Sequence, residues 1–463
     1  MSKVTRSAVL ARAAAWVAAY ALTGAATADE FRDALAKAYT LNPTMAIARS
    51  QLSAGDEGVA IALAGTRPNV LSIASYGVAR YDQWPFSTEP KGYTYRYNDQ
   101  RLGYLDAQQT LYSSGGVQAQ VRSAQAQALS LRGSLRNAEQ QVLLSASAAY
   151  LDLWLARRKL SVYEETERDL RQQLVATRLQ FERKDVTVTD LGQTEARLAQ
   201  AEANRARGES GVRAAEANYQ AVIGVPPTPA APLALPEIAG VPARLEEALR
   251  QAVVANPSLA TATGARDAAR EGITAARAGA LPSVSAEYQG IATTGSDAQT
   301  LRLEQQMLLG RVSIPLYAGG AVGAQVRAAR SQAAVAEHAL DEARRSVVEN
   351  TVSAWHTLSA AVESLASSRQ GIESSALALR GVEIGRGHGH RTILEVLNAR
   401  GELETARLAA AQAERDRILA QLQLLAAAGA LNAVGLALPV TPDDPLPHYE
   451  RVTKRWSDWS AKP

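Results

Sequence analysis

The sequence predicts a mainly α-helical chain with a small β part, built as two tandem repeats, and three observations predict it. The first is a duplication. LYSSGGVQAQVR at 111–122 returns as LYAGGAVGAQVR at 316–327. A shift of 205 aligns 111–224 with 316–429 without a gap, and a shift of 214 aligns Asn42-Pro43 and Pro68 with Asn256-Pro257 and Pro282. A period near 200 residues marks a repeated domain rather than a solenoid unit. The second is apolar periodicity: from Val121 to Phe181 apolar residues step by three and four, and the same pattern runs from Val326 to Val382. Such a run, free of proline, predicts one very long coiled-coil helix in each repeat, roughly 90–100 Å at 1.5 Å per residue. Only Glu167 breaks the pattern badly. The third is a change of texture at 69–112 and 283–316, where aromatic residues and short alternating runs predict a strand pair with a polar tip in each repeat.

The elements follow in order. Lys3, Arg6 and Arg12 precede an apolar run at 13–22, and Ala26-Thr27-Ala28 supplies a small-residue cleavage pattern, so residues 1–28 read as a secretory signal peptide. The first repeat covers 29–224: a helix starting at Asn42-Pro43, with Asn as cap and Pro fixing the first turn, then the strand pair 69–112, the long helix, a turn at 182–188 and a shorter returning helix. A Pro-rich linker, 225–242, leads to the second repeat, 243–435, with its strand pair at 283–316 and its turn at 385–390. The opening and returning helices together are about as long as the long helix, so they can stack end to end beside it. Residues 436–463 read as a polar C-terminal tail.

Composition excludes several classes. The signal segment holds three of the 49 Lys+Arg, leaving 46 against 46 Asp+Glu, so the overall basic balance implies no nucleic-acid partner. Cysteine is absent, which suits an exported chain without disulfides and leaves no acceptor for a lipid anchor at the cleavage site. HExxH, GxSxG and Walker A motifs are missing, and no His–carboxylate cluster stands outside the helical charge pattern; no catalytic residue and no cofactor is expected.

Four strands cannot close a barrel, and open strand edges cannot sit in lipid because their amides would find no partner. Two chains would give eight strands, a barrel filled by its own side chains; three give twelve, wide enough for a lumen. A homotrimer in outer-membrane lipid is therefore expected, its helices too long for the bilayer and standing in the periplasm.

The order helix, strand pair, GG, long helix, turn and shorter helix, given twice, resembles the TolC-like outer-membrane factor family over nearly all of 30–435. The LY-x-x-G-x-x-x-A-Q-V-R stretch at each strand-to-helix junction, with its Gly-Gly pair, and TILEVLNAR at 392–400 carry the likeness. The resemblance implies a trimeric twelve-stranded outer-membrane barrel continued by a helical tunnel. It also implies two partners, a periplasmic adaptor (membrane fusion) protein and an inner-membrane ABC transporter or other pump. The absent lipid anchor and the polar tail point toward type I secretion of a protein such as a haemolysin-like toxin. Small-molecule or drug efflux is the alternative, and a pore-less periplasmic coiled-coil scaffold a second one, which requires 69–112 and 283–316 to be loops.

In that family the inner end of the tunnel closes like an iris. The resemblance places the gate Arg at Arg391, its partners at Thr189 and Asp190 of the first-repeat turn, and a pore acid at Glu395. Asn398 stands where a second acidic ring would be expected, and Arg386 where a gate tyrosine is common. Read from spacing alone, Arg391 and Glu395, four apart at a helix start, form an intrahelical pair. His388 and His390 lie in the turn GRGHGH; their i, i+2 spacing lacks the third ligand a metal site needs, so no metal is expected there.

Overall fold

The structure, a computed structural model, describes residues 30–83, 94–228, 233–295 and 302–456. The signal segment and the two strand-pair tips lie outside the described residues. In the first repeat, helix α1 covers 30–41. It is followed by α2 (Pro43–Ala64), β1 (Asn69–Gln83), β2 (Thr94–Tyr112), α3 (Gly116–Glu182) and α4 (Val188–Ile223). The second repeat gives α5 (Leu245–Ala255), α6 (Pro257–Ala278), β3 (Ser283–Thr294), β4 (Arg302–Ser313), α7 (Ala321–Gly387) and α8 (Ile393–Ala427). Both long helices have 67 residues. Among the described residues no helix is long and apolar enough to cross a membrane.

The structure adds three helices to the expected plan. α1 and α5 precede the Asn-Pro starts, and α9 (Leu446–Lys454) lies within the segment read as a polar C-terminal tail. Its amphipathic pattern is only nine residues long, too short to stand out from the prolines around it.

The chain divides into two compact units. One comprises residues up to 50, 133–260 and 342–443, and is helical. Here the duplication is visible atom by atom. Asn42 Oδ1 accepts from the Thr44 amide at 2.9 Å while its Nδ2 donates to the Val222 carbonyl at 2.9 Å. Asn256 accepts from Ser258 at 2.9 Å and donates to Ala427 at 2.9 Å. One side chain thus caps the start of a short helix and holds the end of the returning helix, so the two stack end to end as their lengths suggested. Phe31 packs edge-on against buried Tyr150 at 5.1 Å. Tyr39 bonds Asp443 at 2.9 Å, and burial, with the Asp443 charge beside it, pushes its phenol up to about 12.

This unit also explains the residue that broke the heptads. Glu167 is buried, yet it sits beside the apolar cluster of Leu170, Ala201, Ile393 and Leu397 where α3, α4 and α8 meet. Arg171 reaches its carboxylate at 2.5 Å from the next turn, and Arg205 at 2.7 Å from α4. The out-of-pattern acid is a paired charge that ties two helices.

The other unit comprises 51–132, 261–341 and residues from 444 onward. In it α6 lies antiparallel on α3, joined by Ser123 Oγ to the Ala268 carbonyl (3.0 Å), Ser130 Oγ to the Thr261 carbonyl (2.9 Å) and the Arg122–Glu271 pair (2.9 Å). Gly264 permits the approach: a Cβ there would stand 2.6 Å from the Ser130 amide nitrogen. α9 is anchored by His448 on buried Asp56 (3.0 Å) and by Arg67, whose guanidinium donates to the Thr453 and Arg455 carbonyls at 2.9 and 2.6 Å and lies 4.8 Å from the Trp456 ring.

The same unit holds one antiparallel sheet of order β1-β2-β3-β4, with β1 and β4 at its edges. The two strand pairs meet through β2 and β3, with a bulge between Thr110 and Tyr112. Segments that the scaffold reading required to be loops are therefore paired strands. Paired residues share a face, and the register separates two chemistries. One face carries Tyr104, Asp106 and Gln108 on β2, Glu287 and Gln289 on β3, and Gln305 and Arg311 on β4, with Leu71, Ile73, Ile291, Met307 and Leu309 among them. Arg311 pairs with Glu287 at 2.7 Å, and Tyr104 donates to Asp106 at 3.0 Å. The opposite face carries Val70, Tyr76 and Val78, then Leu105, Tyr288, Leu308 and Val312, with Gly103, Gly290 and Gly310 between them. Its large residues stand exposed, apart from the half-buried Tyr288. A sheet with one apolar, exposed side and carboxylates, amides and an Arg–Glu pair gathered on the other suits lipid outside and water inside.

Candidate functional site

Two helical turns carry the predicted site residues, and local chemistry makes them near copies. α3 ends where the Lys184 amide donates to Phe181 and the Asp185 amide to Gln180, both at 2.9 Å; α7 ends where Gly389 donates to Arg386 and His390 to Gly385, both at 2.9 Å. Lys184 (φ 67°) and Gly389 (φ 75°), 205 apart, take the left-handed conformation such endings need. Each returning helix then opens with a capping box. Thr187 accepts from the Asp190 amide while Asp190 accepts from the Thr187 amide, and Thr392 and Glu395 do the same. The signals T-V-T-D and T-I-L-E were present in the sequence as Thr-x-x-acid motifs.

These caps commit the acids the pore reading singled out. Asp190 Oδ2 receives the Thr187 amide at 3.0 Å and its hydroxyl at 2.7 Å. Those bonds, the amide first, hold its carboxyl below the usual range, and the charge of Arg386 adds to the effect. Glu395 is lowered by the Thr392 amide (2.7 Å to Oε2) and by Arg391, which reaches Oε1 at 2.6 Å. Both acids are depressed in the folded chain, so their contribution is present above the ordinary carboxylate range and is lost as pH falls through the lowered values. Replacing Thr187 by Ala is expected to cost about 1 kcal/mol of local helix stability and to speed amide hydrogen exchange over the first turn of α4 but not of α8.

Arg391 and Glu395 therefore form the intrahelical pair that spacing suggested. Within one chain the structure does not bring Arg391 to Asp190. Gly385 makes room for Arg391, since a Cβ there would fall 2.8 Å from its Cγ. The cation that acts on Asp190 is Arg386, which also donates to Gln180 of α3 at 3.0 Å and whose own pKa is lowered, first by burial and then by Arg400. Asn398 accepts from Arg197 at 2.9 Å and so links α8 to α4. Thr189 is exposed. His388 Nδ1 lies 2.9 Å from the Ile384 carbonyl, closing the end of α7, and the His390 side chain is exposed. Among the described residues no group of three His, Cys, Asp or Glu could hold a metal ion. Sequence reasoning missed Arg386–Gln180 and Arg197–Asn398, because contacts between hairpins leave no periodic trace.

The sheet and the paired hairpins are matched by known proteins over most of the chain. The profile of the family described as outer membrane efflux protein matches residues 34–225 and again 248–430. The chain belongs to the outer membrane efflux protein family. Within it, the chain is similar to the outer membrane efflux protein BepC of Brucella suis, 31% identical over 456 residues covering 96% of both chains. It is also similar to the alkaline protease secretion protein AprF of Pseudomonas aeruginosa, 26% identical over 352 residues, 73% of this chain and 72% of the relative. The crystal structure of CusC shares the fold, with a TM-score of 0.76 at 18% identity over 86% of this chain and 92% of that one. The TolC-like resemblance thus holds, and the two family matches coincide with the two repeats. As a family member the chain is an efflux channel protein of the Gram-negative outer membrane, with its helical part in the periplasm. The family is one of channels rather than enzymes.

Proposed function

We propose that three copies of this chain share one twelve-stranded barrel and act as the passive outer-membrane channel-tunnel of a tripartite export system, without catalysis. The observation that carries this is the open four-stranded sheet, with an apolar exposed face, a polar opposite face and free edges on β1 and β4. Edge amides in hydrocarbon must be satisfied, and only further copies of the same sheet can satisfy them there. An inner-membrane ABC transporter or other pump supplies the energy, and a periplasmic adaptor joins the two. The cargo read first is a protein exported by type I secretion, a reading favoured by the likeness to a protease secretion protein. Small-molecule efflux is the second reading, favoured by the likeness to BepC along almost the whole chain. Deleting the gene separates them: loss of a secreted protein from the medium with unchanged drug susceptibility supports the first, and the reverse supports the second.

The turns are the proposed periplasmic gate, with Thr189, Asp190 and Arg391 at its closing contact and Glu395 and Asn398 at the constriction. Because Arg391 holds Glu395 and does not reach the Asp190 of its own chain, an Arg391–Asp190 contact would join neighbouring copies. Arg391→Ser is expected to raise closed-state conductance in planar bilayers. If the neighbour's Asp190 is the partner, Asp190→Ala does the same and the double variant adds little. An effect copied by Glu395→Gln, with Asp190→Ala silent, would reassign the latch to the intrahelical pair.

A further inference from the structure

On the apolar face of the sheet, one row of the register differs from every row below it. Tyr76 pairs with Arg101, Arg101 with Thr294, and Thr294 with Arg302, so two guanidiniums, a phenol ring and a hydroxyl stand side by side on four adjacent strands. The next row toward the helices brings Gly103 beside Ala292, and these small residues leave a depression of 590 Å³ rimmed by both arginines. Arg101 lies 6.0 Å from the Tyr76 ring, and no carboxylate pairs with it among the described residues. Arg302 pairs with Glu304 on its own strand. Asp99 and Glu304 share this face in the rows on either side, but neither lines the depression, whose own charged lining is the two guanidiniums.

The depth of this row is informative. Val284 and Thr294 lie on the same face of β3, ten residues apart. That is roughly 33 Å along the strand, or roughly 25 Å across the membrane at the usual tilt, the height of an outer-membrane apolar band. Between those levels the face carries no Arg or Lys on any of the four strands, and its one charged side chain is Glu304, which Arg302 pairs. Because the helices join the sheet at its lower end, the arginine row stands at the far, outer interface. An exposed arginine cluster at that level faces lipid headgroups rather than acyl chains.

We propose that this depression binds the phosphate of a phosphorylated glycolipid in the outer leaflet. Arg101 and Arg302 take the phosphate oxygens by charge-assisted hydrogen bonds, the Thr294 hydroxyl adds a donor, and the Gly103–Ala292 hollow receives the first part of an acyl chain. The proposal rests on the barrel reading, since it needs this face turned to lipid.

The test uses the full-length oligomer in nanodiscs of phosphatidylcholine, with and without bisphosphorylated lipid A. Lipid A is expected to copurify through delipidating washes and to raise the temperature at which the oligomer dissociates, whereas dephosphorylated lipid A and inorganic phosphate do neither. Arg101→Gln with Arg302→Gln is expected to weaken retention roughly ten- to a hundred-fold, as for loss of bonds to a charged group. Arg101→Lys, which keeps the charge, should lie between, and it also shows that the site variants assemble. Equal retention by the double variant, or equal protection by dephosphorylated lipid A or free phosphate, overturns the proposal. Failure of the wild-type chain to enter discs at all would instead overturn the barrel reading.

Discussion

Gly264→Leu is expected to abolish the assembled protein, leaving no heat-modifiable oligomer in the outer-membrane fraction. A Cβ at this position would meet backbone rather than a movable side chain: the Ser130 nitrogen at 2.6 Å, the Ala126 carbonyl oxygen at 2.8 Å and the Ser130 Cα at 2.8 Å. α6 could accept it only by moving off α3, breaking the Ser130–Thr261 and Ser123–Ala268 hydrogen bonds on either side. Backbone displacement along a close helix contact, together with two lost bonds, belongs among the rare substitutions costing more than about 4 kcal/mol. Gly272 on the same helix has nothing within 4 Å of its missing Cβ. Gly272→Leu should therefore assemble normally, because a leucine in a helix is intrinsically better than a glycine. Equal behaviour of the two variants would mean that the α3–α6 contact does not limit assembly.

The second large effect concerns Glu167. Replacing Arg171 and Arg205 together by Met is expected to destabilise the α3–α4 hairpin by about 3 kcal/mol, since a buried carboxylate loses both partners. Adding Glu167→Leu restores the heptad and should recover most of the loss, read as the urea midpoint at neutral pH. A double variant as stable as the parent at neutral pH would show that the charge is not stranded when its partners are removed.

These two sites mark where sequence reading succeeds and where it stops. The long helices, the strand pairs and the duplication were legible because each leaves a period: three and four for the coils, two for the strands, two hundred for the repeat. Glu167 was visible as an anomaly, but its meaning needed Arg205, 38 residues away on another helix. Gly264 looked like a weak helix position, because nothing in the sequence says which backbone passes over it. α1, α5 and α9 are short, and their apolar positions are easily absorbed into neighbouring loops. At the turns, Thr187 and Thr392 carried a plain capping signature, whereas Arg386 reaching Gln180 depends on how two hairpins lean together. Which strand face meets lipid was the least legible feature, since alternation became decisive only once the register set Asp106 beside Gln289 and Leu105 beside Gly290.

The unbonded margins of β1 and β4 also govern how the molecule is made. A solitary copy that entered hydrocarbon would carry two rows of bare amides, each costing several kcal/mol. If three copies share one barrel as proposed, chains must therefore meet before or during membrane entry. Biogenesis should then depend steeply on the concentration of newly exported chains, and a copy with one spoiled margin would drag intact siblings into dead-end complexes.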